Sequence, residues 1–206
     1  MYDERSTPLT GPAQATRAQA LEYLRIENIK FEDDIVGTYW AAAALVGLDP
    51  VLCLAQAIKE SANFTSWWWM AHNNPAGINV PGTSQTKQPA KVLTQDTPWF
   101  QTGWFFNQAN GLWQVGRHYD SAVEGILAHV GILSCYAYMP THPTELASWA
   151  RNGKAPQTHV CFNTVQHLDQ LGAAINPTGK GWAKPGTTYG KGIAVIANRI
   201  AAVGHV

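Results

Sequence analysis

Glu60 closes the stretch PVLCLAQAIKE, in which Lys59 is the other charge, and Ser61-Ala62-Asn63-Phe64 and three consecutive tryptophans, Trp67 to Trp69, follow it. A carboxyl set among apolar and aromatic neighbours loses hydration, which disfavours its charged form and raises its pKa. Such an acid keeps its proton near neutral pH and can deliver it to a leaving oxygen, the task of the general acid in glycosidic cleavage. The same spacing also fits a solvated carboxylate at a helix end. A second carboxylate is offered by Asp96 in VLTQD, as a catalytic partner or as the cap of a turn at Thr97-Pro98. Asp120 stands beside Ser121 at a helix start, a common structural place for Asp, and Glu124 has capping-box spacing from Ser121.

Other chemistries find less support. Cys53 and Cys135 fall in apolar helical stretches, and Cys161 has His159 and His167 nearby but no surrounding motif, so a cysteine peptidase or amidase lacks its reactive pair. The histidines show neither HExxH nor paired Cys-His spacing, and no metal or cofactor is expected. His129, in an apolar helical stretch, reads as a hydrogen-bonded core residue.

The elements that must position Glu60 are legible from periodicity and punctuation. A loose arm is expected over residues 1–14, then a helix from Ala15, in which Ala18, Leu21, Leu24 and Ile29 recur at helical spacing. A second helix should run from about Asp33 to Leu45, with Gly47 as its C-terminal stop. Asp49-Pro50 is a strong start for the helix carrying Glu60, since Asp caps and Pro suits the first turn. That helix should be buried nearly all round. From residue 80 to about 115 the helical period disappears, and Asn110-Gly111 signals a hairpin within a small β-lobe. Helices return from Ser121 to Ala137, over Leu146 to Arg151 and around Thr164 to Leu171. A last one runs from about Tyr189 to Val203 after a glycine-rich loop. The class is α+β, mainly α: a helical body with a small β-hairpin lobe flanking a cleft.

At 206 residues with 46% hydrophobic and 14% charged, the chain has a core large enough for one folded domain, residues 15–206. A formal net charge of zero argues against a protein held on nucleic acid by bulk charge. No apolar run is long enough to span a bilayer, so no membrane insertion is expected. The N-terminus MYDERSTPLTGPAQ lacks the basic and apolar regions of a secretory leader. Delivery to a target outside the membrane then calls for release at lysis or for a leader outside this sequence. Widely spaced cysteines read as free thiols. The nine tryptophans exceed what packing needs, and aromatic rings also stack on sugars. Trp67 to Trp69 cannot all face one way, so at least one ring should be open, and Trp68 and Trp182 are the expected sugar platforms. Trp40 and Trp149 belong in the core.

The run from Gly47 to Gly82 resembles the glucosaminidase-type peptidoglycan hydrolases. Their signature is an apolar helix containing Ala-Gln and ending in Glu-Ser or Glu-Thr, then an Asn-rich loop reaching Gly-Ile. Here these are Ala55-Gln56, Glu60-Ser61 and Asn73-Asn74-Pro75-Ala76-Gly77-Ile78. Residues 116–133 resemble the family's Tyr-x-Ser helix with a downstream Ala-His, and residues 179–200 its closing segment with Trp182, Tyr189 and Gly190. The resemblance covers about residues 35–203, in order. It implies a lysozyme-like fold and hydrolysis of the β-1,4 bond after N-acetylglucosamine, with Glu60 as general acid. Asp96 then stands where the family commonly has Glu, one methylene short; without it, the substrate's acetamido group can stabilise the reacting centre. Tyr189 matches the family's closing tyrosine, as a hydrogen-bond donor at the reacting centre or a ring in the core. Asn74 and Gly77 are expected to shape the loop at the substrate. The expected partner is the peptidoglycan glycan strand, met by a monomer, and a phage endolysin fits the absent leader. Muramidase or lytic transglycosylase chemistry on the same fold, and a non-catalytic wall-binding module, are the competing readings.

Overall fold

The computed structural model describes residues 1–31, 34–78, 85–86, 104–107, 112–138 and 162–204, the strands by their backbone alone. Asp49 and Pro50 start the central helix as the sequence predicts. The Asp49 carboxylate accepts from the Val51 N–H at 2.8 Å, Pro50 fills the first helical position, and the helix (α3) runs Pro50–Glu60. Pro50 through Ile58 are all buried. Three helices precede or follow closely: α1 (Arg17–Ile26), α2 (Ile35–Val46) and α4 (Trp67–His72). Thr16 and Gln19 form a capping box for α1, and Gly47 ends α2 in the left-handed conformation at φ 68°. Next come α5 (Ala122–Ala137), begun by Ser121 accepting from the Glu124 N–H, and α6 (Tyr189–Ala202).

The core is helix on helix. α3 packs against α2 and α6, α2 against α5, and α1 lies over α2 and α6. Its interior holds Tyr39, Leu52, Leu54, Ile58, Ile126, Leu133 and Ile193, all essentially inaccessible. Each such side chain contributes roughly 1.5–3 kcal/mol of hydrophobic stabilisation. α6 turns Tyr189, Ile193, Ala197 and Ile200 inward, with Gly190 and Ala194 beside them. Gly190 permits the close approach of this helix to a 3-10 turn, Leu168–Leu171: a Cβ there would lie 2.5 Å from the Asp169 nitrogen and the Leu168 carbonyl carbon.

Three short strands, β1 (Gln85–Thr86), β2 (Trp104–Asn107) and β3 (Leu112–Val115), make an antiparallel sheet in the order β1-β3-β2. In the β2–β3 register Trp104 faces Val115 and Asn107 faces Leu112. The fold is thus mainly helical, with little strand among the described residues. The expected turn at Asn110-Gly111, the short helix at 146–151, Trp149 and the cleft wall that a β-lobe would supply lie outside the described residues.

Two expectations change. The first fourteen residues are not a loose arm. Tyr2 and Leu9 are buried, the Tyr2 hydroxyl donates to Asp49 at 3.0 Å, and the Asp49 N–H donates to the Leu9 carbonyl. Leu168 and Asp169 donate to the carbonyls of Thr7 and Glu4. An apolar residue every few positions, with backbone partners on two other elements, is enough to hold an irregular segment down. The helix expected around 164–171 is one 3-10 turn, because the Leu168 and Asp169 N–H groups, which an α-helix would direct to the carbonyls of residues 164 and 165, are taken by those of Thr7 and Glu4.

Burial pushes the Asp49 carboxyl up to about 6, with the Val51 N–H and Tyr2 hydroxyl opposing. A raised carboxylate pKa in the fold means that its contribution to stability is complete below about 3.8 and is lost as pH rises through about 6. Asp49→Asn keeps the cap without the buried charge, so it should melt higher than the parent at pH 7.5, with the difference closing by pH 4. Asp49→Ala removes the cap and should cost about 1–2 kcal/mol in urea unfolding.

Candidate active site

Glu60 lies at the C-terminal end of α3, half-buried, where the helix leaves the core. Ser61 caps that end and the backbone turns sharply through Ala62, Asn63 and Phe64, all at positive φ. From the opposite side of the sequence, the first residue of α6 reaches it: the Tyr189 hydroxyl donates to Glu60 Oε1 at 2.6 Å. Trp182, on the glycine-rich loop before α6, lies near enough to this carboxyl to favour its ionised form. The structure therefore brings Glu60, Tyr189 and Trp182 together. The Trp182 ring packs edge-on against His129 at 5.5 Å and tilted against Tyr136 at 6.1 Å, so the indole also belongs to the core side of the site.

Burial raises the Glu60 pKa above its ordinary value; the Tyr189 hydroxyl, the neighbouring Lys59 charge and Trp182 oppose the rise without cancelling it. Lys59 Nζ sits 5.2 Å from the centre of the Tyr189 ring. Tyr189 is pushed well above the usual phenol range by burial and by the Glu60 charge, so it remains a hydroxyl donor. The arrangement is an acid that keeps its proton longer than a free carboxyl and a fixed hydroxyl that stabilises the anion once the proton has gone.

Sequence reasoning did not place Gln56 and Tyr39 in the site. Gln56 Nε2 donates to the Tyr189 oxygen at 2.9 Å, and Gln56 Oε1 lies 3.3 Å from His129 Nε2. His129 Nδ1 lies 3.0 Å from the Tyr39 hydroxyl. The available signal was Gln56 itself, a polar side chain in a helix buried on every side, which must find partners. His129 in α5 carried the same signal and is the hydrogen-bonded core residue its surroundings suggest. Burial drives its pKa down to about 3, leaving a neutral imidazole.

Trp68, Asn74 and Gly77 form a second cluster. Ser66 starts α4, which the three tryptophans occupy: Trp67 is 42% exposed, Trp68 half-buried and Trp69 buried. The Trp68 ring lies on Gly116, where a Cβ would fall 2.4 Å from it. Asn74 is fully buried and its amide is spent on the Ile78 N–H and on the Ile78 and Arg117 carbonyls. Its side chain thus ties residues 74–78 to residue 117 and is not presented to a ligand. Gly77, at φ 60°, is exposed and supplies the left-handed turn in that loop. Asp120 is 90% exposed, its carboxylate 3.7 Å from His118 Nε2. Asp96 and Cys161 lie outside the described residues. Cys53 is a buried free thiol, Cys135 is buried, and burial raises the Cys53 pKa far beyond that of a reactive thiolate. Among the described residues no group of three His, Cys, Asp or Glu side chains is placed to hold a metal ion.

No curated protein and no solved structure matches the chain. Its residues 36–201 match the glucosaminidase family, described as mannosyl-glycoprotein endo-beta-N-acetylglucosaminidase, a span that takes in all but the end residues of the α2-to-α6 stretch and every residue of the Glu60 cluster. The chain belongs to the glucosaminidase family and is a glycoside hydrolase of peptidoglycan glycan strands.

Proposed function

We propose that the protein cleaves the β-1,4 bond following N-acetylglucosamine in peptidoglycan, with Glu60 as general acid. The observation that carries this reading is the partly desolvated Glu60 carboxyl held at 2.6 Å by the buried Tyr189 hydroxyl. Protonated Glu60 gives its proton to the glycosidic oxygen as the bond to the sugar breaks and positive charge builds on the ring carbon and oxygen. The Tyr189 hydroxyl then holds the carboxylate left behind. Tyr189 acts through Glu60 and fixes the orientation of the acid. Asp96 is the candidate for the second carboxylate. In that role Asp96→Asn loses activity by roughly 10²-fold or more, whereas a turn cap loses a few-fold.

The test is a digest of purified peptidoglycan with the reduced products identified by mass spectrometry. N-acetylglucosamine at the new reducing ends supports the proposed bond. Muramic acid there reverses the bond specificity, and anhydro-muramic ends replace hydrolysis by transglycosylation. Absence of glycan cleavage removes the reading altogether.

A further inference from the structure

The Glu60 carboxyl is the outer end of a hydrogen-bond chain that crosses the core. It passes from Tyr189 on α6 to Gln56 on α3, to His129 on α5, and ends at Tyr39 on α2. Tyr39 and His129 are wholly buried and Gln56 nearly so, which leaves little room for water to stand in for a missing partner.

Such a chain can be polarised in two directions, and its far end selects one. The Tyr39 hydroxyl has His129 Nδ1 as its one hydrogen-bond partner among the described residues. If Nδ1 carried the imidazole hydrogen, the Tyr39 hydrogen would be buried without an acceptor, a loss on the order of 1–3 kcal/mol. Tyr39 therefore donates to Nδ1, and the neutral ring carries its hydrogen on Nε2. That hydrogen goes to Gln56 Oε1, which turns the Gln56 NH₂ toward Tyr189. The Tyr189 oxygen accepts from Gln56, and its single hydrogen has Glu60 as its acceptor.

We propose that Tyr39, acting through His129 and Gln56, is a positioning residue that sets the Tyr189 hydroxyl as a permanent donor to Glu60. This rests on the reading of Glu60 as the acid. The donor stabilises the ionised carboxyl, so losing its orientation makes the acid weaker. Among the described residues, the titratable and charged groups about this carboxyl are Lys59 on α3, Tyr189 on α6 and, one step further, His129 and Tyr136 on α5. Tyr39→Phe removes one hydroxyl at the end of the chain remote from Glu60 and leaves these groups in place.

The experiment measures pH profiles of kcat and KM on soluble peptidoglycan fragments for the parent, Tyr39→Phe and a packing control, Ile35→Val, also in the α2 core. With Tyr39→Phe the alkaline limb of kcat should move upward by about 0.5–1 pH unit, the worth of one net hydrogen bond. Its kcat should fall several-fold with KM held, while Ile35→Val should leave the limb in place. A limb unmoved in Tyr39→Phe, or moved equally in both variants, overturns the proposal. Independently of activity, ¹⁵N shifts of the His129 ring in the intact protein should show hydrogen on Nε2 and a bare Nδ1, and the opposite tautomer overturns it. If Glu60→Gln remains active, the acid reading fails on its own, separately from the tautomer result.

Discussion

Glu60→Gln should slow peptidoglycan digestion by roughly 10²- to 10⁴-fold and, near neutral pH, raise the melting temperature. The glutamine keeps the shape and the oxygen that accepts from Tyr189, but it has no proton to give. The stability gain follows from the raised Glu60 pKa, whose largest cause is burial. Because the fold favours the neutral carboxyl, its contribution to stability is complete below the ordinary value of 4.5 and is lost as pH rises through the folded-state value. As pH rises above 4.5 the parent increasingly favours the unfolded chain, where this carboxyl ionises freely, a penalty the variant lacks; below pH 4.5 both side chains are neutral. Calorimetry from pH 4 to 8 should therefore show the variant above the parent at neutral pH and the two converging in acid. Activity in this variant close to that of the parent sinks the assignment of Glu60. A variant melting below the parent at every pH would mean that the carboxyl is a structural group.

Removing residues 1–9 should lower the melting temperature by at least about 10 °C, a loss on the order of 5 kcal/mol or more. Tyr2 and Leu9 are buried. Truncating a large buried side chain costs roughly 2–5 kcal/mol, against a total of about 5–15 kcal/mol for a domain. The deletion also frees the Asp49 N–H at the start of α3 and the Leu168 and Asp169 N–H groups beneath the start of α6. Those two helices carry Glu60 and Tyr189, so the thermal midpoint of activity should fall with the melting curve followed by circular dichroism. A melting temperature within about 2 °C of the parent would show that these contacts add little.

The contrast between those two segments separates what was legible from what was not. Asp49-Pro50, Gly47, and Ser121 with Glu124 are local signals. Each acts through a hydrogen bond or a backbone angle within a few residues, so the sequence by itself determined where α2 ends and where α3 and α5 begin. The mostly apolar run before Glu60 likewise determined that α3 is buried nearly all round, but left open whether its last carboxyl is solvated. The α4 helix was missed although Ser66 and Asn73 flank it, because three bulky tryptophans obscure any apolar stripe in six residues.

Only the tertiary structure decided which groups meet that carboxyl. Tyr189 is 129 positions from Glu60, and no periodicity connects them; their contact exists because Gly190 lets α6 close against the 3-10 turn. The same holds for Tyr39 and His129, 90 positions apart, and for Tyr2 on Asp49. Burial alone predicts that Gln56 and His129 need partners, but the partner's identity depends on which helices pack and in what register. A residue's need is a local property of its chemistry and surroundings. Its partner is a property of the packed chain.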